Sequence, residues 1–306
     1  MKTQTNLGVT IQVFIPGGSP DGIWQVSREP DWKGLLVVCP RALYPTVRAE
    51  NEFTRPGVYV LWGEQPDHRE PTIYVGEGDP VQKRIDTHFK NKDFWDCVYV
   101  CVSDNDSGKL NKAHIQHLES RLYGLAKEVN KCMLDSKYFP QLPTLSEPEA
   151  ATVENYLSNL LSVLGVLGVK VFRKPQALEE SAPKGTSGVL HAGAGTKGVR
   201  ATGYLTSSGF VVLAGSEAAL NCVPKASKNI IAMIEGLKAK GVLISKNDQL
   251  VFTQDYEFGS PSGAAAAMLG RSADGRLEWK DEQGKSLKEL QSASISPEAQ
   301  ELRSLA

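Results

Sequence analysis

Short runs of alternating apolar and polar residues fill the first hundred positions. The runs VTIQVFIP, GIWQVS and GLLVVCP are separated by sequences rich in Gly, Pro and Asp, which indicates strands joined by turns within residues 1–52. Residues 1–52 could form a cap on the next domain or a separate module. Because the segment is short for an independent core, we expect it to pack on the domain that follows. Three further runs, GVYVLW, TIYVGE and CVYVCVS, predict strands between residues 53 and 104.

Helical spacing follows the second of these three strands. Asp79 and Pro80 predict a helix start, with Asp as the N-cap and Pro at the first helical position. The apolar stripe of this helix is Val81, Ile85 and Phe89. Arg84 and His88 lie one turn apart beside that stripe. The pattern therefore places a cation and an imidazole on one side of a short helix.

Two longer helices are predicted further along. The first runs from about Lys109 to Val129, and Glu119 borders its apolar stripe. The second begins at Ser146, with Glu149 three residues later as in a capping box. We expect the leucines of this second helix to pack against the core; they are Leu157, Leu160, Leu161 and Leu164.

The C-terminal part has a different composition. Residues 174–200 are rich in Gly, Ala and Ser, which is typical of a linker. Residues 201–292 predict a second α+β domain, with a hairpin, a helix ending at Gly241, another hairpin, a small-residue helix that Ser260 begins and a closing hairpin over RLEWKDEQGKSL. This domain contains no His and no cluster of carboxylates, so nothing in it demands catalysis. Residues 293–306 are a short helix or a disordered tail.

Composition and charge narrow the function classes. The content of 41% hydrophobic and 23% charged residues is ordinary for a soluble globular protein, and 306 residues suffice for two or three domains. A formal charge of −1 gives no global attraction to nucleic acid, so such a partner would need a local basic patch. We expect a cytoplasmic protein without a membrane segment, because the start is not a signal peptide and the longest apolar run is too short to span a bilayer. The five scattered cysteines fit packing in a reducing compartment.

An ordered set of residues carries the candidate chemistry. Gly-Val-Tyr ends at Tyr59, Tyr-Val-Gly begins at Tyr74, Arg84 and His88 follow on the next helix, and Glu119 lies on the longer one. This set resembles the GIY-YIG nuclease family over about residues 55–130. The resemblance implies an α+β fold in which a three-stranded antiparallel sheet is flanked by helices, here within residues 53–173.

The chain further resembles a bacterial subgroup of that family. In this subgroup a β-rich segment precedes the nuclease core and an uncharacterised domain follows it. The sequences KDFW at 92–95 and NKAH at 111–114 are similar to motifs of the subgroup. The resemblance thus covers the whole chain, and only the central part implies a known activity.

The resemblance implies a metal-dependent endonuclease acting on DNA. Glu119 would hold one divalent cation, Mg²⁺ or Mn²⁺, and Arg84 would clamp the phosphate through its planar donors. Tyr59 would lie near the attacking water as a candidate base, with Tyr74 hydrogen-bonded in the site. His88 would contact phosphate or shuttle protons. Because a phenol with a pKa near 10 is a poor base, a nearby cation would have to lower the pKa of Tyr59.

Other residues extend the predicted substrate surface. Arg84, Lys90 and Lys92 are the candidate substrate-binding residues, and Lys83 could join them in a local basic rim that neighbouring Asp86 and Asp93 dilute. The C-terminal domain could recognise substrate or a protein partner. The oligomeric state stays open.

Non-functional interpretations compete with these roles. Glu119 could be a solvated carboxylate, and Arg84 with His88 could form an exposed helix face. His114 and His117 have the i, i+3 spacing of metal ligands, but without a third ligand nearby we interpret them as a solvated helix face. The segment Gly76-Glu77-Gly78 is interpreted as shaping a turn.

One departure from the family pattern bears on activity. Related nucleases often carry an Asn after the Glu helix, where this chain reads CMLDSKYFP with Asp135 and Ser136. These two side chains could substitute for the Asn. The departure supports an alternative function, a catalytically weak or inactive protein that binds nucleic acid or a partner on the same fold.

Overall fold

The computed structural model describes residues 8–30, 32–64, 70–104, 110–136, 138–174, 188–194 and 199–295. The chain divides into two compact units, residues 1–174 and 175–306. The strands of the first unit are β1 (Thr10–Phe14), β2 (Trp24–Glu29), β3 (Gly34–Pro40), β4 (Gly57–Gly63), β5 (Thr72–Gly78), β6 (Cys97–Ser103) and β7 (Met133–Leu134). Its helices are α1 (Tyr44–Val47), α2 (Val81–Asn91), α3 (Lys112–Val129) and α4 (Glu147–Val166), with a 3₁₀ turn at Asn51–Thr54.

The first unit is built on one mixed sheet with the order β1-β2-β3-β6-β4-β5-β7. The three strands predicted between residues 53 and 104 are adjacent and antiparallel in it. The α+β class is confirmed, but the expected three strands are too few, because β3 pairs with β6 from Gly34 to Pro40 and extends the sheet into residues 1–52. Strand β3 is apolar on both faces, which is typical of an interior strand. The N-terminal segment is therefore an integral part of this unit.

Helices cover both faces of the sheet. Helices α3 and α4 pack on the face that carries Val58 and Val75, and the predicted leucines of α4 lie in or against this core. Helix α2 packs on the opposite face, where Val81 and Ile85 join Tyr59 in a second core. Strand β7 pairs with β5 only at Thr72 and Ile73, so the other end of β5 lies near the sheet edge and in contact with both α2 and α3. This end of β5 is where the two faces meet.

The predicted helix starts shift slightly. Pro80, not Asp79, has the extended backbone of the N-cap of α2. Helix α3 begins at Lys112, and Asn111 is its N-cap in a capping box with His114, so the NKAH sequence is a helix start. The earlier predicted start at Lys109 lies outside the described residues. Ser146 and Glu149 form the predicted capping box of α4.

Arg41 ties the N-terminal segment to α2. Its guanidinium donates to the carbonyl oxygens of Lys92 at 2.6 Å and Phe89 at 3.0 Å, and it lies 4.5 Å from the ring centroid of Trp95. These bonds satisfy carbonyls at the C-terminal end of α2, which lack partners within the helix.

We expect Arg41→Ala to lower the free energy of unfolding by about 1–3 kcal/mol, since charge-assisted bonds to backbone carbonyls are lost. Urea unfolding measures this loss. The matched control is Arg48→Ala, because Arg48 pairs with Asp86 through a side chain that is 45% exposed, and such pairs contribute under about 1 kcal/mol. Equal losses in the two variants would contradict the anchoring role of Arg41.

The second unit contains two smaller sheets. Its strands are β8 (Val189–Ala194), β9 (Val199–Leu205), β10 (Phe210–Val212), β11 (Glu217–Ala219), β12 (Leu243–Lys246), β13 (Gln249–Phe252) and β14 (Tyr256–Phe258). Its helices are α5 (Lys228–Ala239), α6 (Pro261–Leu269), α7 (Gly275–Glu278) and α8 (Leu287–Ile295). The sheets have the orders β14-β10-β9-β8 and β11-β13-β12. Ser260 caps α6 as predicted, through its oxygen and the Gly263 N–H.

Two expectations for this unit are wrong. Residues 189–194 are not linker, because β8 pairs antiparallel with β9 and pairing overrides the low strand propensity of Gly and Ala. RLEWKDEQGKSL contains helix α7 and isolated bridges at Lys280, not a hairpin of strands. Helix α8 begins before the predicted tail and reaches Ile295, so residues 293–295 agree with the short-helix alternative for that tail. The rest of the predicted tail lies outside the described residues. Across the described ranges, no helix has the length and apolar character to cross a bilayer.

Candidate functional site

Two tyrosines on neighbouring strands form the floor of the candidate site. Tyr59 on β4 pairs with Gly76 on β5, and Leu61 pairs with Tyr74, so the two phenols project from the same face. Their ring centroids are 6.3 Å apart. A Cβ at position 76 would lie 2.4 Å from the Tyr59 hydroxyl, so the glycine between the rings makes room for the phenol. The Gly-Val-Tyr and Tyr-Val-Gly sequences therefore act together as a packing unit.

Helix α2 places His88 against both phenols. Its Nε2 lies 2.9 Å from the Tyr59 hydroxyl, and its ring centroid is 4.5 Å from that of Tyr74. Burial, together with the positive charges of Lys92 and Arg84, lowers the pKa of His88 to about 4. The imidazole is thus neutral at neutral pH. With its proton on Nδ1 it accepts the phenol hydrogen, and in the other tautomer it donates to the phenol oxygen.

Burial raises the pKa of both phenols. The side chain of Tyr59 is fully buried and its pKa lies well above the ordinary value, to which the nearby Tyr74 also contributes. Arg84 opposes this rise at both tyrosines by charge and by hydrogen bonding. Arg84 lowers the pKa of Tyr59 as expected of a nearby cation, but desolvation outweighs it, so the net shift is upward. Tyr59 is therefore a neutral phenol.

Glu119 faces this group from α3. Its charge acts on both phenols and on Arg84, which places it beside them. Burial raises the pKa of Glu119 to about 7, the negative charge of Glu77 adds to the rise, and Arg84 and Lys112 oppose it. The carboxyl group is half-buried, so the interpretation as a fully solvated carboxylate is wrong.

Glu77 is a site residue that the sequence analysis missed. It was interpreted only as part of a turn, whereas its carboxylate accepts from Lys112 Nζ at 2.5 and 2.7 Å and acts on Glu119. Its place next to Gly76 could have indicated its direction. Side chains alternate along β5, so Glu77 must point to the sheet face opposite the two phenols. Its ion pair with Lys112 could not be read from sequence spacing.

Of the predicted lysines, Lys92 contacts the site. Its Nζ lies 4.8 Å from the centroid of Tyr74 and 2.6 Å from Asp135 Oδ2. Lys83 and Lys90 are exposed on α2. Asp135 thus reaches the site edge through Lys92, whereas Ser136 bonds with the backbone of Tyr138. The substitution of these side chains for an Asn stays a prediction.

The interpretation of His114 and His117 as a solvated helix face is wrong. His114 belongs to the capping box of α3. His117 is only 6% exposed and its Nε2 lies 2.7 Å from Glu154 Oε1 on α4, which also accepts from Arg121. The covering helix α4 makes this face internal, so these histidines have structural roles.

The neutral His88 predicts a pH dependence of stability. Its pKa is about 4 in the folded chain against an ordinary 6.5, so the unfolded state binds more protons between these values. The contribution of neutral His88 to the free energy of unfolding is fully present above pH 6.5. It is lost as the pH drops to 4, which lowers the free energy of unfolding by up to about 3 kcal/mol. His88→Gln should flatten this slope, and the matched His114→Gln should leave it. Urea unfolding at several pH values measures this dependence. If the free energy of unfolding fell equally with pH in His88→Gln and in the unmodified protein, His88 would not be its source.

The second unit offers a weaker candidate. An open cavity of 850 Å³ lies between β8, β9 and the segment after α7, and charges of both signs line it, including Arg200, Glu217, Lys280 and Asp281. Asp281 accepts from the backbone N–H groups of residues 283 and 285, so its carboxylate is already engaged. This mixture defines no ligand class.

The candidate site of the first unit offers few oxygen donors to a divalent cation. No group of three His, Cys, Asp or Glu side chains converges anywhere in the part of the chain that the structure describes. Glu119 with Glu77 beside it is a sparse set of oxygen donors, which suits a Mg²⁺ ion that keeps several waters and is held by one or two carboxylates. The residues fit such an ion and do not fit a site made entirely of protein ligands.

Comparison with known proteins gives one family match. Residues 193–291 match a family described as a domain of unknown function, DUF4357. The match begins within β8 and covers most of the second unit. No curated protein and no solved structure matches the chain. The family match concerns the second unit, and none of these comparisons bears on the candidate site of the first unit.

Proposed function

We propose that the protein is a divalent-metal-dependent endonuclease that hydrolyses phosphodiester bonds of DNA, on a GIY-YIG-like core. The observation that carries this proposal is the convergence of Tyr59, Tyr74, Arg84, His88 and Glu119 at the β5 edge from two strands and two helices. Groups with strongly shifted pKa values that lie together support a functional site, since active sites concentrate such groups.

Each side chain has a role in the proposed reaction. Arg84 is exposed and presents its planar donors to a phosphate oxygen. Tyr74 is half-buried and remains a neutral phenol that orients the attacking water and the phosphate by hydrogen bonds. Tyr59 is fully buried and bonds to His88 and Arg84, so its hydroxyl positions the Arg84 donors. His88 is buried, which favours a role in holding the Tyr59 hydroxyl over direct contact with phosphate. Glu119 and a divalent cation held there would supply the activation of water and the charge that offsets the anionic phosphate.

The alternative is a nucleic-acid-binding or partner-binding protein with weak or no catalysis. The observation that favours it is the Lys92–Asp135 pair, in which the residue that stands near the family's Asn is already engaged by a lysine. This alternative predicts binding of DNA that weakens with salt and no strand scission with metal.

A nicking assay separates the two functions. Purified full-length protein is incubated with supercoiled plasmid and with single-stranded circular DNA, in Mg²⁺, in Mn²⁺ and in EDTA. The proposal predicts scission in either metal and none in EDTA. Absence of scission from every DNA form in both metals would exclude the endonuclease.

A further inference from the structure

Two aromatic side chains are unusually exposed close to the candidate site. Tyr138 is 84% exposed and Phe139 is 56% exposed, in the segment that follows β7. A solitary exposed ring is normal on a protein surface, whereas adjacent exposed apolar side chains can mark an interaction site. Phe139 contacts Tyr123 and Lys127 of α3, the helix that carries Glu119.

The segment is anchored on both sides. Ser136 Oγ donates to the Tyr138 carbonyl at 2.9 Å and accepts from the Tyr138 N–H at 3.3 Å, which fixes the backbone under the exposed ring. On the other side, the carbonyl of Pro140 accepts from Ser120 Oγ at 3.0 Å, next to Glu119 in α3. The rings are therefore presented on a held backbone.

Two routes connect the rings with the site. Along α3, Glu119, Tyr123 and Lys127 are spaced by four residues and share one face. Tyr123 therefore lies about 6 Å and Lys127 about 12 Å along the helix axis from Glu119. The Phe139 ring meets Tyr123 edge-on at 5.2 Å, and Lys127 Nζ lies 5.6 Å from its centroid. Along the sheet edge, Lys92 contacts Tyr74 and bonds to Asp135, three residues before Tyr138.

This arrangement places one exposed ring, Phe139, beside the Lys127 cation, which lies about two turns along α3 from Glu119. Aromatic rings beside cations bind unpaired bases by stacking, whereas paired bases in a regular duplex do not offer their faces. The surface thus distinguishes unpaired from paired DNA.

We propose that Tyr138 and Phe139 form a stacking platform for unpaired bases, so that the substrate of the site is single-stranded DNA or a single-stranded part of a branched or damaged duplex. This inference rests on the proposed nuclease function for its biological use. The binding itself depends only on the platform, with Lys127 contributing a phosphate contact.

The test measures binding without cleavage. Fluorescence anisotropy in EDTA compares a labelled thymine oligonucleotide with a duplex of equal length, using full-length protein. Tyr138→Leu keeps an apolar side chain and removes the ring, so the affinity for the single strand should fall about tenfold, as expected for one lost stack. Tyr138→Phe should bind as the unmodified protein does, and the duplex affinity should change less than twofold in all variants.

The matched control is Phe14→Leu, which removes a 62% exposed ring from the distant edge strand β1 and should leave binding unchanged. Equal thermal unfolding of the variants checks that the fold is intact. The platform is refuted if the unmodified protein binds no single strand, if Tyr138→Leu binds normally, or if it weakens both DNA forms equally. Binding with no scission in metal would instead refute the nuclease and keep the platform, so the two failures are distinguishable.

Discussion

Replacing Glu119 by glutamine is expected to abolish metal-dependent scission, with a loss on the order of 10³-fold or more, because the amide cannot supply the anionic oxygen that the cation requires. The substitution preserves the shape of the side chain. The fold should be as stable as before or more so, since burial and Glu77 already disfavour the carboxylate charge. Rates of plasmid nicking and thermal unfolding, measured on the same preparation, check both parts.

Glu128→Gln is the matched control for this experiment. Glu128 lies on the same helix, is exposed and pairs with the exposed Lys174. The control should nick plasmid at the unmodified rate. Scission by Glu119→Gln at a similar rate would remove Glu119 from the reaction and with it the assignment of the metal to α3.

Gly76→Ala is expected to have the second-largest effect. The added methyl would lie 2.4 Å from the Tyr59 hydroxyl oxygen and 2.5 Å from its ring carbon, closer than real Cβ contacts. Tyr59 cannot yield easily, because it is fully buried and bonded to His88. We expect a loss of about 1–3 kcal/mol in the free energy of unfolding and at least about tenfold in nicking, as strain moves the phenol.

Gly124→Ala provides the contrast for this prediction. A Cβ at this position in α3 meets nothing within 4 Å, so alanine should stabilise the helix by about 0.5–1 kcal/mol. Urea unfolding compares the two alanine variants with the unmodified protein. A Gly76→Ala protein that is as stable and active as the original would show that Tyr59 is free to move, against the packing described.

The sequence indicated which elements carry the candidate residues better than how those elements meet. Alternation on β4 and β5 and the helical stripe of α2 could predict which elements carry Tyr59, Tyr74 and Arg84. The register that sets Tyr59 opposite Gly76 could not be predicted, because it depends on how the long connection between the strands closes. Glu119 comes near the phenols only because α3 packs on β5, and this tertiary contact has no signal in the local sequence pattern.

The missed features share one physical cause, namely partners distant in the chain. Glu77 is held at the site by its ion pair with Lys112, and Asp135 is held at the site edge by its ion pair with Lys92. His117 looked solvated because its helix stripe gave no sign that α4 would cover it. Likewise β8 has the composition of a linker and becomes a strand through pairing with β9. Local pattern predicts elements, whereas these roles arise from contacts between elements.

The central claim is that one divalent cation binds at Glu119 beside the phenols and Arg84. Electron paramagnetic resonance of free Mn²⁺ measures this directly, because the sharp aqueous signal falls as the ion binds. Titration of the unmodified protein should show one bound Mn²⁺ per chain, lost in Glu119→Gln and retained in Glu128→Gln. Mn²⁺ binding that is absent from the unmodified protein, or equal in all three proteins, would contradict the account.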